Sequence, residues 1–167
     1  MKKWTLVAAV VVLVAAIVLV SGMGLFPSSN NGSKNRTATM AIDFSDASAK
    51  HFPNNMTTWS NATGTWTYDT HASGNGTTLY VFKNMTFSAN VMDLLMECSK
   101  IGDFPVGRQA YVGMGTVIQS VDGVANENPG RGWQYYVNGT YALVACDKTT
   151  LNGGEVVEWK FITLQGT

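Results

Sequence analysis

The chain has 167 residues, with eleven basic and eleven acidic side chains, 13% charged residues and 46% hydrophobic ones. The charge is about half the ~25% usual for soluble proteins, and the apolar content excludes a disordered chain. With Lys2 and Lys3 set aside, eleven acids face nine bases, which excludes a general nucleic-acid binder.

Lys2 and Lys3 precede an apolar run over 4–26, broken only by Thr5, Ser21 and glycines. As a helix it would span about 34 Å, enough for a hydrocarbon core of ~30 Å. The two lysines hold the N-terminus on the cytoplasmic side. The expectation is one transmembrane anchor over 1–26 in the cell membrane, with the C-terminal part extracytoplasmic. The alternative is a cleaved signal peptide, because the uninterrupted stretch 6–20 fits the upper length of such a segment. In either case 27–167 lies outside. Residues 27–38 contain no apolar side chain between Pro27 and Ala38 and read as a flexible linker.

Seven Asn-x-Ser/Thr sequons follow, at Asn31, Asn35, Asn55, Asn61, Asn75, Asn84 and Asn138. That is about threefold more than composition alone gives, and it suits an exported glycoprotein. Asn31, Asn35, Asn55, Asn61, Asn75 and Asn84 are the glycosylation candidates. Asn138 is set apart because it falls in a tight turn.

Beyond the linker, Met40, Ile42 and Phe44 alternate and predict a strand over 39–44. The stretch 45–77 is polar and irregular, with a short strand expected over 65–68, and reads as an insertion. A second main strand is expected over 78–86. Asn90 then caps a helix, with Asp93 three residues on. Val91, Leu94, Leu95, Cys98 and Ile101 recur at helical spacing, and Gly102 is expected to end the helix. Further strands are expected over 109–112, 116–121, 133–137, 140–145 and 155–164. Asn138-Gly139 is a strong hairpin signal between two of them. This order predicts an α+β domain over 39–167, a mixed sheet with one packed helix.

Four stretches then carry a family resemblance: the helix Asn90-Val-Met-Asp-Leu-Leu95, the run Thr116-Val-Ile-Gln-Ser-Val-Asp-Gly-Val124, the aromatic strand Gly132-Trp-Gln-Tyr-Tyr-Val-Asn-Gly139, and Leu151-Asn-Gly-Gly-Glu-Val-Val-Glu-Trp159. Together they resemble the β-domain at the C-terminus of transcobalamin and intrinsic factor, and its prokaryotic cell-surface relatives. The resemblance implies a β-grasp-like sheet around one helix. The vertebrate carriers hold cobalamin between this β-domain and a large helical barrel, and no residues here can form that barrel. Gly153-Gly154-Glu155 also departs from the Asp-Gly-Asp often found before the last strand.

The resemblance and the aromatic strand make Trp133, Tyr135, Tyr136 and Asn138 the candidate ligand-binding residues, with Trp133 and Tyr135 on one face and Tyr136 on the other. Trp59, Trp66 and Tyr68 are aromatic residues in the polar insertion. Cys98 and Cys146 form a possible disulfide, or two separate buried thiols. No metal site is expected: His51 and His71 lack further ligands, and Asp122, Asn126, Glu127 and Asn128 read as a polar loop. No catalytic residue and no resident cofactor is expected. The functional expectation is a non-catalytic, membrane-anchored binding or cell-surface interaction module, without nucleic acid. Its partner is a surface protein. The alternative is capture of cobalamin or another small ligand together with a corrinoid-carrier chain.

Overall fold

A computed structural model describes residues 36–45, 47, 54–61, 63–73, 77–127 and 129–163. The expected anchor, the alternative cleavage site and most of the linker lie outside the described residues, as do Asn31, Asn35, Asn75, His51 and Asn128. Among the described residues no helix is long and apolar enough to cross a membrane.

In chain order the elements are β1 (Arg36–Asp43), β2 (Asn55–Asn61), β3 (Trp66–Ala72), β4 (Leu79–Phe87), α1 (Val91–Gly102), β5 (Val106–Tyr111), β6 (Gly115–Val121), β7 (Val124–Ala125), β8 (Arg131–Val137), β9 (Thr140–Tyr141) and β10 (Val156–Thr163). Seven strands form one mixed sheet in the order β3-β2-β4-β1-β10-β8-β9, and β5-β6-β7 form a small second sheet. Among the described residues the architecture is the expected α+β mixed sheet with one helix. The central strand β1 runs parallel to β10 and antiparallel to β4. Strand β10 in turn pairs antiparallel with β8.

Register places one residue set on one face. Met40 lies opposite Val157 and Phe82, Ile42 opposite Trp159, and Trp159 opposite Tyr135. All six of these side chains are buried. Helix α1 covers the β4–β1 part of this face and buries Val91, Leu94, Leu95 and Cys98. From the small sheet and the segment before it, Ile118, Val121 and Phe104 join the same core. No described helix covers the opposite face of the seven-stranded sheet.

The helix begins as its sequence requires. The Asn90 side chain accepts the Asp93 N–H at 2.9 Å, and the Asp93 carboxylate accepts the Ala89 N–H at 3.1 Å. Gly102 is its last residue, as expected, but the left-handed position does not fall there. Asp103 takes the left-handed position, with φ 52°, and its N–H and that of Phe104 both reach the Ser99 carbonyl. Gly102 is held by space instead. A Cβ there would stand 2.8 Å from the Phe104 ring and 3.0 Å from Phe82.

Several segment boundaries differ from expectation, among them those of β3 and β5, which run over Trp66–Ala72 and Val106–Tyr111 rather than 65–68 and 109–112. Strand β1 starts at Arg36, inside the expected linker, because Arg36 pairs with Phe87 and Ala38 is buried opposite Met85. The insertion contributes the β2–β3 hairpin, which joins the sheet through parallel pairing of β2 with β4. The expected strand 140–145 pairs only at Thr140 and Tyr141 before the chain leaves the sheet. The hairpin at Asn138-Gly139 forms as expected, with both residues at positive φ.

A helix of three turns is not stable in water without packing, so its buried stripe decides the fold. Leu94→Ala is expected to cost ~2–5 kcal/mol, and Asp93→Ala, which loses only cap bonds, about 1 kcal/mol. Denaturant midpoints followed by tryptophan fluorescence check this. Equal midpoints would show that α1 does not depend on the sheet.

Candidate functional site

The four expected ligand contacts are not brought together. Trp133 and Tyr135 face the core and are only 8% and 6% exposed. The Trp133 indole N–H donates to the Val124 carbonyl at 2.8 Å, and its ring meets Phe44 edge-on at 5.2 Å. The Tyr135 hydroxyl lies 2.7 Å from the Val144 carbonyl oxygen, to which it donates, and 2.6 Å from Thr149 Oγ1. Burial pushes its pKa up. Both rings are packed in the core on the covered face of β8. Asn138 is exposed, but its side chain accepts the Val156 N–H at 2.9 Å and closes the turn.

Tyr136 is on the open face. Its ring lies 5.6 Å from that of Tyr141, and the Lys160 ammonium sits 4.9 Å from its centroid. Lys160 also meets the Glu158 carboxylate at 3.5 Å. Gln134, Tyr136, Tyr141, Ile162 and Thr163 line a shallow depression of about 350 Å³. Two aromatic faces, an amide and a cation at its margin suit a flat or neutral-polar ligand, or a partner's side chain.

The insertion aromatics divide differently. Trp59 stacks on Phe82 at 4.4 Å with the rings nearly parallel, so it extends the core. Trp66 is half-buried against the same core, and Tyr68 on the outermost strand is 73% exposed. Of the described sequons, Asn84 and Asn138 are exposed and Asn55 and Asn61 half-buried. Asn84 sits at φ 56°, where β4 carries an extra residue against β1.

The polar loop after β6 is spent on structure. Asp122 accepts the Tyr80 hydroxyl at 2.8 Å, and burial together with this carboxylate raises the Tyr80 pKa. The Asn126 side chain accepts the Trp133 N–H and donates to the Ile118 carbonyl. Glu127 takes Arg131 in a two-pronged pair at 2.7 and 2.9 Å. Among the described residues no three His, Cys, Asp or Glu side chains gather where they could hold a metal ion.

A second surface escaped sequence reasoning. The segment 141–147 leaves β9, crosses to the N-terminus of α1 and clasps the β5–β6 turn. The Cys146 carbonyl accepts the Met92 N–H, and the Cys146 thiol lies 3.4 Å from the Thr116 carbonyl. The Asp147 carboxylate accepts the Thr116 N–H at 2.8 Å. Gly115, with φ 101°, allows the approach: a Cβ there would stand 2.6 Å from both Ala145 Cβ and Asp147 Oδ1. The clasp leaves two apolar tips in solvent. Val112 and Met114 are 106% and 71% exposed, and Leu143 and Val144 are 88% and 57% exposed.

Cys98 and Cys146 are separate buried thiols rather than a bridge. Cys146 touches the first turn of α1, and Cys98 lies six residues further along, a rise of about 9 Å. Burial raises both thiols, the Cys146 group to about 11.

Residues 89–163 match the family model described as a domain of unknown function, DUF4430. The match runs from the residue before the helix cap to the end of β10. No curated protein matches the chain. A crystal structure of a candidate metal-binding protein from Ruminococcus gnavus is similar at a TM-score of 0.44 and 11% identity, over 78% of this chain and 99% of that one.

Two outcomes are expected. At pH 8 the native chain should react with no thiol reagent while the denatured, unreduced chain yields two thiols. A denatured chain yielding none would carry the bridge. The Thr116 N–H holds the Asp147 carboxyl below its usual range. A lowered folded pKa gives stability that is complete above the unfolded value of about 3.9 and is lost as pH falls through the folded value. Asp147→Asn should therefore flatten the acid limb of a stability–pH curve relative to the parent.

Proposed function

We propose that this chain is a membrane-anchored, extracytoplasmic binding module that does no chemistry, and that the Tyr136–Tyr141 depression is its contact surface. The single observation that carries the reading is this aromatic pair on a sheet face that no described helix covers, with Lys160 over one ring. The cationic and amide groups at its margin fix orientation, and the rings supply area. The apolar run over 4–26 and its lysines support the anchor, and the sequons support the external side.

The order β4-β1-β10-β8, with α1 across one face, supports a β-grasp-like domain. Together with the match over 89–163, it favours kinship with the transcobalamin β-domain and a narrower second reading, corrinoid capture alongside a partner chain.

The test uses the full chain in lipid nanodiscs on beads. Offered envelope fragments of the cells that make it, the parent should capture them. Tyr136→Ala should lower capture about tenfold, or about 1.4 kcal/mol, without moving the denaturant midpoint. Undiminished capture would overturn the assignment of this surface. Cyanocobalamin offered to the same beads separates the two readings: retention with a shifted visible spectrum, lost in Tyr136→Ala, would establish corrinoid capture.

A further inference from the structure

The two apolar tips beside the clasp are not part of the depression and are not explained by it. Packing does not demand them, since Val112, Met114 and Leu143 project almost wholly into solvent. Their chemistry is consistent along both segments. Residues 109–117 and 140–146 contain no charged side chain, and cations stand at the bases, Arg108 before one tip and Lys148, ion-paired with Asp147, after the other. Tyr111 flanks the first tip and is partly exposed. Apolar tips with an aromatic residue beside them and cations behind are the arrangement that suits the boundary between acyl chains and headgroups.

Position supplies the second argument. The Arg36 guanidinium donates to the Leu151 carbonyl, and the Leu151 N–H donates to the Ala89 carbonyl just before the helix cap. The first turn of the helix meets Cys146, and Cys146 meets Thr116 at the foot of the β5–β6 turn. The first residue of β1 and the feet of both tips are thus linked through the N-terminus of α1. Only residues 27–35 separate β1 from the apolar run. Nine residues span no more than about 32 Å fully extended. On the anchor reading, this tether keeps the first residue of β1 within reach of the bilayer.

We propose that the tips carrying Val112, Met114, Leu143 and Val144 rest in the interfacial layer of the membrane that anchors the chain. This rests on the anchor reading above and adds to it a second contact, which orients the domain. The partner is a lipid surface. The clasp through Gly115, Cys146 and Asp147 holds the two tips as one unit, so they enter together.

The test places an environment-sensitive fluorophore on Met114→Cys and, separately, on Ala72→Cys. The register puts Ala72 at the Asp43 end of β1, away from the tips. The buried native thiols are expected to stay unlabelled, and the unsubstituted chain is the blank. The full chain is reconstituted in phosphatidylcholine vesicles containing nitroxide-labelled lipid, and flotation is measured on the same sample. The expected result is co-flotation, with the label at 114 shifted to the blue and quenched at least twofold more than the label at 72. A chain that floats while both labels remain equally in water overturns the docking and leaves the anchor standing. A chain that does not float overturns the anchor and the docking with it. A blue shift at 114 without lipid quenching assigns the tips to a protein surface, such as a second copy, and also overturns the proposal.

Discussion

A helix of twelve residues has too few turns to persist in water, and α1 exists because four of its side chains have somewhere to go. Val91, Leu94, Leu95 and Cys98 need a flat apolar surface, and β1 and β4 supply it through Met40, Ile42, Phe82 and Met85. Most other features serve this contact. Gly102 lacks a Cβ so that Phe104 and Phe82 can close under the last turn, and Asp103 takes the left-handed position that stops the helix there. At the other end, Thr149 and Cys146 offer carbonyls to the unpaired N–H groups of the first turn. The segment that does so is the one that clasps the β5–β6 turn. Capping the helix and shaping the apolar end are thus performed by the same stretch of backbone.

One-sided burial also separates the tasks of neighbouring aromatics. Tyr135 and Tyr136 are adjacent in sequence, yet one hydroxyl is bound to Val144 and Thr149 beneath the sheet and the other ring lies in the open beside Tyr141 and Lys160. The core accepts one polar cost. The Trp159 indole N–H is buried and has no acceptor among the described residues, although its ring is packed against Tyr135 at 5.0 Å. The apolar area of a tryptophan outweighs a penalty of about 1–3 kcal/mol for such a group.

Much of this was legible in the residues, and what was not has physical reasons. The helix, its cap and its buried stripe follow from spacing, because a repeat of 3.6 residues survives any tertiary context. The Asn138-Gly139 hairpin follows from the backbone angles that only a few residues tolerate. Strand β2 left no such mark. Its residues, Asn55 to Asn61, are all half-buried at the side of the sheet, so no alternation of apolar and polar side chains is imposed on them. The run 140–145 looked like a strand because its residues are apolar and β-prone, but after Tyr141 they leave the sheet for the helix. Alternation along β8 separated Trp133 and Tyr135 from Tyr136, yet period alone cannot say which face is covered. The meeting of the two apolar tips was invisible, since it is made by backbone groups and by the hydrogen that replaces a side chain at Gly115.

The parallel pairing of β1 with β10 joins residues as far apart as Thr39 and Val156. Such a contact closes a very long loop, and long-range pairings of this kind form late and slowly. As the chain is synthesised, β1 can meet β4 early, but its other edge stays open until β10 has been made. The middle strand of the sheet is thus completed by the last of the described strands. That order leaves a bare strand edge open during synthesis, the kind of surface on which unfinished chains pair with one another.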